Sequence, residues 1–339
     1  MNTRNLGPFA VSPLGLGCMN LSHAYGAPVS EAQGERVLLA ALDAGVTLLD
    51  TAALYGFGAN EALLGRVLKQ HRSRFTLASK CGMQGVDVAG NGKLVRVIDG
   101  RPATLRATCE ASLRRLQTDC IDLYYLHRWD RQVPIEESVG ALGDLVRRGL
   151  IRAVGLSEVS APTLRKAHAE FPITALQTEY SLWTRNPELG VLAACEELGV
   201  AFVAFSPVAR GFLCGAEIDL TTLHASDIRR AMPRFAPAAH SANRALLAGY
   251  HAIAQGAGCT PAQLALAWLL HQGDHIIPIP GTTTVDHLLE NLGAVQVPLD
   301  ARTLAQLDAL INEHTVAGDR YSPQSASEVD TETFENRTA

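Results

Sequence analysis

The sequence lacks several features that would each place it in a special class of protein. No apolar run approaches the roughly 20 residues that a membrane-spanning helix requires. The first residues hold no apolar signal core, so we expect neither membrane insertion nor export. There is no Lys/Arg-rich tract and the formal net charge is −5, which argues against nucleic acid or an anionic membrane as the main partner.

Paired cysteines are also missing. Seven cysteines occur, an odd number with no CxxC pair, so reduced thiols in a cytoplasm fit better than a disulfide framework. The 11 histidines show no HExxH pattern and no paired Cys/His spacing, and we therefore predict no metal site. The sequence thus predicts a cytoplasmic protein whose chemistry does not depend on a metal.

What the sequence does contain is a repeated alternation of strand-like and helix-like segments. With 339 residues and 47 % hydrophobic residues, the chain has an ordinary globular composition. Most of the strand-like runs are continuously apolar, as expected for strands that are buried on both faces. Eight such runs occur, at 14–19, 46–50, 75–80, 120–127, 151–157, 173–177, 200–206 and 275–281.

The segments between these runs have helical spacing of their apolar residues. Pro102 lies where the first turn of a helix tolerates proline, and Gly45 lies where a helix commonly ends. We predict helices at 31–43, 102–116, 135–146, 162–168, 187–198 and 261–270.

Eight strands separated by helices predict an α/β fold, a parallel (β/α)8 TIM barrel. We predict one barrel domain over residues 1–339, with an N-terminal β-hairpin within 1–13 and a C-terminal helical extension. The long connection at 211–240 is expected to be a functional loop over one rim. The polar tail from about residue 322 is expected to be loosely ordered.

The active site of such a barrel lies at the carboxyl ends of its strands. Asp50, Lys80 and His127 end the second, third and fourth predicted strands, and Tyr55 follows in a short loop. Each alone has an ordinary structural explanation, such as a cap for Asp50 or a solvated side chain for Lys80. Their joint placement at one mouth indicates a catalytic group.

These four residue types together suit proton transfer. A free phenol has a pKa near about 10, and an ammonium beside it favours the phenolate and lowers that pKa. Lys80 is placed to do this for Tyr55, with Asp50 holding Lys80 charged. His127 is placed to hydrogen-bond the substrate oxygen. The hypothesis is that Tyr55 supplies the proton when a carbonyl is reduced.

Seven motifs, in order along the chain, are similar to those of the aldo-keto reductases. The residues GLSE (155–158) and SLW (181–183) are most similar to those of the perakine-reductase-like group and its bacterial relatives. The motifs are LDTAALYG (49–56), ASK (78–80), LYYLH (123–127), GLSEVS (155–160), ALQTEYS (175–181), FSPVARGFLCG (205–215) and IPIPGTTTVDHLLEN (277–291).

The resemblance implies an NADPH-dependent carbonyl reductase that holds its cofactor without a Rossmann fold. It implies Tyr55 as proton donor, and an aromatic stack of Phe205 on the nicotinamide ring, although Phe205 also suits the barrel core. The other residues that the resemblance assigns to the cofactor are Ser157, Glu158 and Gln177 at the nicotinamide, Ser206, Pro207, Val208, Arg210, Gly211 and Leu213 at the pyrophosphate, and Gly281, Thr282, Thr283, Thr284, His287, Glu290 and Asn291 at the adenosine end.

Two departures from the resemblance bear on the cofactor. Glu158 stands where relatives often have Asn, and its carboxylate can still accept a hydrogen bond from the nicotinamide amide. Thr283 and Thr284 stand where many relatives have Lys and Arg, which weakens the argument for a 2′-phosphate, so NADH use stays possible beside NADPH.

Residues that follow the strands could also line a substrate pocket. Met19, Asn20, Trp129 and Phe212 suit either that role or packing at the rim, and Tyr25 and Arg128 are weaker candidates.

Three functions stay open at this point. The first is reduction of a small-molecule carbonyl substrate, and the second is an alcohol or sugar dehydrogenase that runs towards oxidation. The third is a non-enzymatic, redox-sensing role like that of a channel β subunit, which uses the same barrel. We expect a monomer or a weak homo-oligomer that binds neither nucleic acid nor membrane.

Overall fold

The computed structural model describes residues 2–334 and contains twelve β-strands and eleven α-helices in that range. The strands are β1 (Arg4–Leu6), β2 (Phe9–Val11), β3 (Leu16–Gly17), β4 (Leu48–Asp50), β5 (Thr76–Cys81), β6 (Met83–Val86), β7 (Val95–Ile98), β8 (Ile121–Leu126), β9 (Ile151–Ser157), β10 (Ile173–Glu179), β11 (Ala201–Phe205) and β12 (Ile276–Pro278). The helices are α1 (Glu31–Asp43), α2 (Ala59–Leu68), α3 (Pro102–Leu116), α4 (Ile135–Arg147), α5 (Ala161–Glu170), α6 (Val191–Leu198), α7 (Pro237–Gly256), α8 (Pro261–Leu270), α9 (Val285–Gly293), α10 (Ala301–Leu310) and α11 (Pro323–Ala326).

The eight central strands form a closed parallel barrel. Their order is β3-β4-β5-β8-β9-β10-β11-β12, and each pairs in parallel with its neighbour. The first and last strands meet, because Gly15 N–H donates to Pro278 O at 3.0 Å and Gly17 forms a parallel bridge with Gly281. The predicted (β/α)8 fold is therefore confirmed.

The barrel interior is filled mainly by small and branched side chains, which include Ala78, Ala153 and Ala175. Leu6 and Val11 from the β1–β2 hairpin belong to this same cluster and are fully buried. The hairpin therefore closes the amino-terminal end of the barrel, and this leaves the carboxyl ends of the strands as the open mouth.

Helix boundaries agree with the sequence signals where caps are present. The predicted segments 31–43, 102–116 and 261–270 coincide with α1, α3 and α8. Ser30 accepts a hydrogen bond from Gln33 N–H at the start of α1, as an N-cap residue does. Caps and first-turn prolines are local signals, so they can be identified without knowledge of the fold.

Two elements were missing from the prediction. The 20-residue helix α7 begins at Pro237, inside the segment expected to be a loop, and buries few apolar side chains along its length. The antiparallel β6–β7 hairpin has a half-exposed strand, with Val95 43 % exposed. The spacing of Leu246, Tyr250 and Ile253 along α7 is helical and was overlooked, whereas each strand of the hairpin has only four residues.

The expectation of a loosely ordered tail is wrong for residues 322–334. Asp330 accepts hydrogen bonds from Ser160 Oγ at 3.0 Å and Thr163 Oγ1 at 2.6 Å, and Glu332 accepts one from Ala161 N–H at 2.8 Å. The acidic tail therefore caps the N-terminus of α5, a role that no periodic pattern indicates. Residues 335–339 of the predicted tail lie outside the described residues.

None of the helices between residues 2 and 334 is long and apolar enough to cross a membrane.

Candidate active site

The four predicted catalytic residues meet at the mouth of the barrel. Asp50 is the last residue of β4, Lys80 lies one residue before the end of β5, and His127 directly follows β8. Tyr55 lies in the turn that follows β4. Because parallel strands end at one edge, the fold brings together side chains that are 25 or more positions apart, as the Lys80–Tyr55 hydrogen bond shows.

Lys80 is the centre of the group. Its ammonium donates hydrogen bonds to the Asp50 carboxylate, to Thr51 O at 2.9 Å and to the Tyr55 hydroxyl at 3.2 Å. Lys80 is fully buried and Asp50 nearly so. All three ammonium protons therefore have acceptors, which a buried lysine requires.

The environment keeps Lys80 protonated. Burial alone would lower the pKa of this ammonium, but Asp50 and the Tyr55 hydroxyl more than offset that effect, and the net pKa is raised. Lys80 is therefore a permanent cation beside the phenol at neutral pH.

The pKa of Tyr55 moves in the opposite direction to that expected from the sequence. Burial raises it and Asp50 adds to the rise, while Lys80 and Arg128 lower it, and the net pKa lies above the usual value of 10.0. Lys80 thus acts as predicted, but burial outweighs it. The phenol stays protonated at neutral pH, which a proton donor requires.

His127 lies edge-on to Tyr55. The two ring centroids are 5.8 Å apart with an interplanar angle of 85°, and the imidazole is buried. Burial, followed by the positive charges of Arg128 and Lys80, holds the pKa of His127 well below 6.5. The ring is neutral at physiological pH, so one ring nitrogen donates a hydrogen bond and the other accepts one.

Three further residues next to the catalytic group had little or no sequence signal. His23 stacks on Tyr55 with 6.3 Å between ring centroids, and it comes from the loop after β3. Arg128 donates to Ser157 Oγ at 3.1 Å, and the positive charge of Arg96 lowers the pKa of His127. Arg128 is one of the two weaker substrate-pocket candidates from the sequence, whereas His23 and Arg96 were missed.

The predicted nicotinamide-binding residues lie at the ends of neighbouring strands. Ser157 ends β9 and Gln177 lies near the end of β10, and both are buried. The Gln177 side chain crosses the barrel and donates to the Asp50 carboxylate at 2.8 Å. Phe205 ends β11 and packs against the interior cluster of the barrel. Gln177 thus contacts one of the four predicted catalytic residues directly, whereas Ser157 is linked to His127 through Arg128.

Glu158 and Arg210 are both buried and paired. Glu158 accepts hydrogen bonds from Arg320 at 2.5 Å and from Glu179 N–H at 2.9 Å, whereas Arg210 donates to the Glu179 carboxylate at 2.7 Å. The sequence suggested that the positive charge of Arg210 binds a pyrophosphate. In the structure that charge is partly balanced by the Glu179 carboxylate.

The segment that follows β11 turns sharply. Ser206, Arg210 and Gly211 all have positive φ angles, of 50°, 58° and 90°. Within these turns Ala209 N–H donates to Ser206 O at 2.9 Å and Gly211 N–H donates to Val208 O at 3.1 Å. The other predicted pyrophosphate residues, Pro207, Val208 and Leu213, lie in the same run of turns.

The predicted adenosine residues surround the start of α9. Thr284 is the N-cap of this helix and accepts a hydrogen bond from His287 N–H at 3.3 Å. Helix N-termini favour anions, which suits a phosphate. Gly281, Thr282 and Thr283 precede the helix, and Glu290 and Asn291 lie on it.

The four predicted substrate residues divide into two groups. Met19 packs against the cluster that contains Tyr55, and Asn20 follows it in the same short turn. Trp129 donates to Val133 O at 2.7 Å, and Phe212 is buried and stacks on Trp183. Met19 is therefore the candidate with a direct link to the catalytic group.

Comparison with known proteins decides the family. Residues 13–312 match the model of the "Aldo/keto reductase family". The chain belongs to the aldo/keto reductase family. This aldo/keto reductase is 43 % identical over 314 residues to "Probable aldo-keto reductase 1" of Glycine max, an alignment that covers 92 % of the chain and 89 % of that protein.

Solved structures agree with this assignment. The glycerol dehydrogenase from Gluconobacter oxydans superposes with a TM-score of 0.84 at 27 % identity and covers 95 % of this chain and 98 % of its own. An aldo/keto reductase from Klebsiella pneumoniae, solved in complex with NADP and acetate, has a TM-score of 0.71 at 26 % identity, with coverages of 95 % and 99 %.

As a member of the aldo/keto reductase family, the chain is an NAD(P)H-dependent oxidoreductase, and NADPH is the cofactor of this family. The site fits such a group: Glu158 Oε2 is buried without a partner among the described residues, beside Ser157 and Gln177. In the part of the chain that the structure describes, no group of three or more His, Cys, Asp or Glu side chains could hold a metal ion.

Proposed function

We propose that this chain reduces an aldehyde or ketone to an alcohol with NADPH, and that Tyr55 donates the proton. The observation that carries the proposal is the contact of the Lys80 ammonium with the Tyr55 hydroxyl at 3.2 Å, in which the ammonium is buried and all three of its protons have acceptors. A protonated phenol beside a permanent cation is the arrangement that proton donation to a forming alkoxide requires.

Each residue then has a defined part. Tyr55 gives its proton to the carbonyl oxygen of the substrate, and Lys80 stabilises the phenolate that remains. Neutral His127 donates a hydrogen bond to the same oxygen and orients it. Asp50 holds Lys80 in place and keeps it charged. When bound, the reduced nicotinamide supplies the hydride.

The polar residues around the catalytic group suit the cofactor. In this proposal Ser157 and Gln177 hold the nicotinamide amide and the turns after β11 hold the pyrophosphate, which the position of both residues at the carboxyl ends of strands supports. The N-terminus of α9 offers N–H groups to the adenosine phosphate. No lysine or arginine occupies 281–287, so we propose NADPH as the preferred cofactor but expect its margin over NADH to be small.

The test is turnover of NADPH with 4-nitrobenzaldehyde, followed by loss of NADPH absorbance. Tyr55→Phe should lower kcat by about 10²- to 10⁴-fold while leaving the Kd for NADPH within about threefold, since general acid catalysis contributes that much. Tyr250→Phe is a matched control, because this buried phenol lies on α7 and donates to Pro261 O. Full activity of Tyr55→Phe would refute the donor assignment.

A second candidate is an alcohol dehydrogenase that runs towards oxidation. The similarity to a glycerol dehydrogenase and the threonines at 282–284 favour it. Comparison of the Kd values for NADPH and NADH, with initial rates in both directions, discriminates the two. A strong NADH preference with faster oxidation would favour the second candidate.

We further propose a cytoplasmic protein that acts on a small molecule as a monomer or weak homo-oligomer. The net charge of −5 and the cysteine pattern support this proposal. Size-exclusion chromatography with light scattering measures the oligomeric state, and a stable tetramer would contradict it.

A further inference from the structure

A buried network of four charged residues lies beside the catalytic group. Arg320 donates through Nη2 to Glu158 at 2.5 Å and through Nε to Glu179 at 3.0 Å, and Arg210 donates to the same Glu179 carboxylate at 2.7 Å. All four side chains are at most 9 % exposed. Two carboxylates and two guanidinium groups balance in charge, as a buried network requires.

The two oxygens of Glu158 are unequal. Oε1 accepts hydrogen bonds from Arg320 and from Glu179 N–H, whereas Oε2 is buried and has no partner among the described residues. An unpartnered buried carboxylate oxygen is costly. Glu158 directly follows Ser157 and its N–H donates to Gln177 O at 3.0 Å, so its main chain lies beside both residues assigned to the nicotinamide amide.

The backbone at Glu158 is also held from the C-terminal segment. Glu158 has a φ of 57°, in the left-handed region that non-glycine residues seldom adopt. Its carbonyl accepts a hydrogen bond from Asp330 N–H at 3.0 Å. Residues 320–334, here named the C-terminal strap, therefore contact Glu158 twice, once at the carboxylate and once at the main chain.

We propose that Arg320 is a positioning residue that aims Glu158 Oε2 at the carboxamide NH₂ of the nicotinamide, and that docking of the C-terminal strap is coupled to cofactor binding. The inference rests on the proposed function. By occupying Oε1, Arg320 leaves Oε2 as the acceptor that remains. The planar guanidinium fork reaches both carboxylates at once and fixes their relative orientation.

Arg210 cannot replace Arg320 in this role. Its side chain contacts Glu179, the Tyr25 hydroxyl and the ring of Tyr321, and none of these contacts reaches Glu158. Arg320 is held in place by Tyr321, whose ring lies 4.4 Å from the guanidinium and whose hydroxyl accepts from it at 3.1 Å. A change at Arg320 should therefore act on the nicotinamide end selectively.

The first test uses three probes with the full chain, and tryptophan fluorescence gives each Kd. NADPH carries the amide NH₂, the reduced 3-acetylpyridine analogue lacks it, and 2′-phospho-ADP-ribose lacks the whole ring. The wild type should bind NADPH about tenfold more tightly than the analogue, as expected for a hydrogen bond to a charged group. Arg320→Met should abolish most of that ratio and leave the affinity for 2′-phospho-ADP-ribose unchanged.

Two variants accompany Arg320→Met. Arg320→Lys keeps the charge but not the fork, so it should restore part of the NADPH-to-analogue ratio. Arg302→Met removes an exposed arginine from α10 and should change nothing. An unchanged ratio in folded Arg320→Met would overturn the inference. Failure of the wild type to bind NADPH at all would instead overturn the proposed function.

The second test needs no variant. Coupling is reciprocal, so NADPH should slow amide hydrogen exchange in the C-terminal strap, especially at Asp330, whose N–H bonds to Glu158. 2′-Phospho-ADP-ribose at saturation should slow it much less. Equal protection by both probes, or none by NADPH, would overturn the coupling, and tight NADPH binding in the same samples would leave the proposed function intact.

Discussion

Replacement of Lys80 by methionine should affect stability and catalysis together. The change keeps an unbranched side chain that is one atom shorter and removes the cation that lies between Asp50 and Tyr55. Asp50 would then be a buried carboxylate with only the Gln177 amide to compensate it. Breaking a buried ion pair from one side costs about 3–5 kcal/mol, a large share of the about 5–15 kcal/mol that holds a domain folded.

Urea unfolding followed by circular dichroism measures this loss. The double variant Asp50→Asn/Lys80→Met should recover at least half of it, because the neutral Asn side chain leaves no uncompensated charge and still accepts from Gln177. Both variants should reduce carbonyl substrates at least about 10²-fold more slowly. Lys69→Met removes an exposed lysine and serves as the control.

Two results of the urea-unfolding experiment would contradict this prediction. If Lys80→Met unfolds within about 1 kcal/mol of the wild type, the Asp50–Lys80 pair is not a buried, mutually dependent pair. If the double variant is as unstable as the single one, the loss comes from packing and not from the uncompensated charge of Asp50.

Three other predictions follow from the structure. Gly65→Ala should lower the free energy of unfolding by more than about 2 kcal/mol, because the new Cβ would lie 2.2 Å from Arg115 O. Gly256→Ala on α7, where no atom lies within 4 Å of the new Cβ, should be neutral or stabilising by up to about 1 kcal/mol. Thermal unfolding measures both changes. Burial raises the pKa of Glu179, but the arginines around it more than offset this effect and lower the pKa from the usual 4.5 to about 2. Glu179→Gln should therefore lower the free energy of unfolding by about 3 kcal/mol above pH 4.5. In urea titrations that difference should shrink as the pH falls towards about 2, and a constant difference would contradict the assignment. Burial lowers the pKa of His127 well below 6.5 and raises that of Tyr55 above 10.0. The pH profile of kcat/KM for reduction should therefore show no step from either group between about pH 6 and the alkaline limb. A step near 6.5 that disappears in His127→Gln would contradict this prediction, because the imidazole would then titrate there.

The sequence was most informative where one segment alone determines the structure. Apolar runs predicted the eight barrel strands, because a strand buried on both faces needs no partner to be identified. The same logic placed Asp50 and His127 at strand ends. The β6–β7 hairpin was missed because its strands are short and partly exposed, and α7 was missed because it begins inside a segment that was interpreted as one long loop.

The charged network shows the opposite limit. Glu158 and Arg320 are 162 positions apart, and neither carries a sequence signal that names the other as its partner. The polar tail suggested disorder, since composition cannot show that Asp330 caps the N-terminus of α5. Pairings of this kind follow only from the closed topology.

The pKa of Tyr55 indicates what the buried lysine contributes to the chemistry. A mouth that excludes water strengthens every electrostatic interaction in it, but it also raises the pKa of the phenol. Lys80 offsets part of that rise and, because Asp50 keeps it protonated, continues to do so across the physiological pH range. The cation therefore limits the effect of burial and does not produce an unusually acidic tyrosine. It follows that Lys80→Met should leave Tyr55 protonated and correctly placed yet a poorer donor, whereas Tyr55→Phe removes the proton altogether.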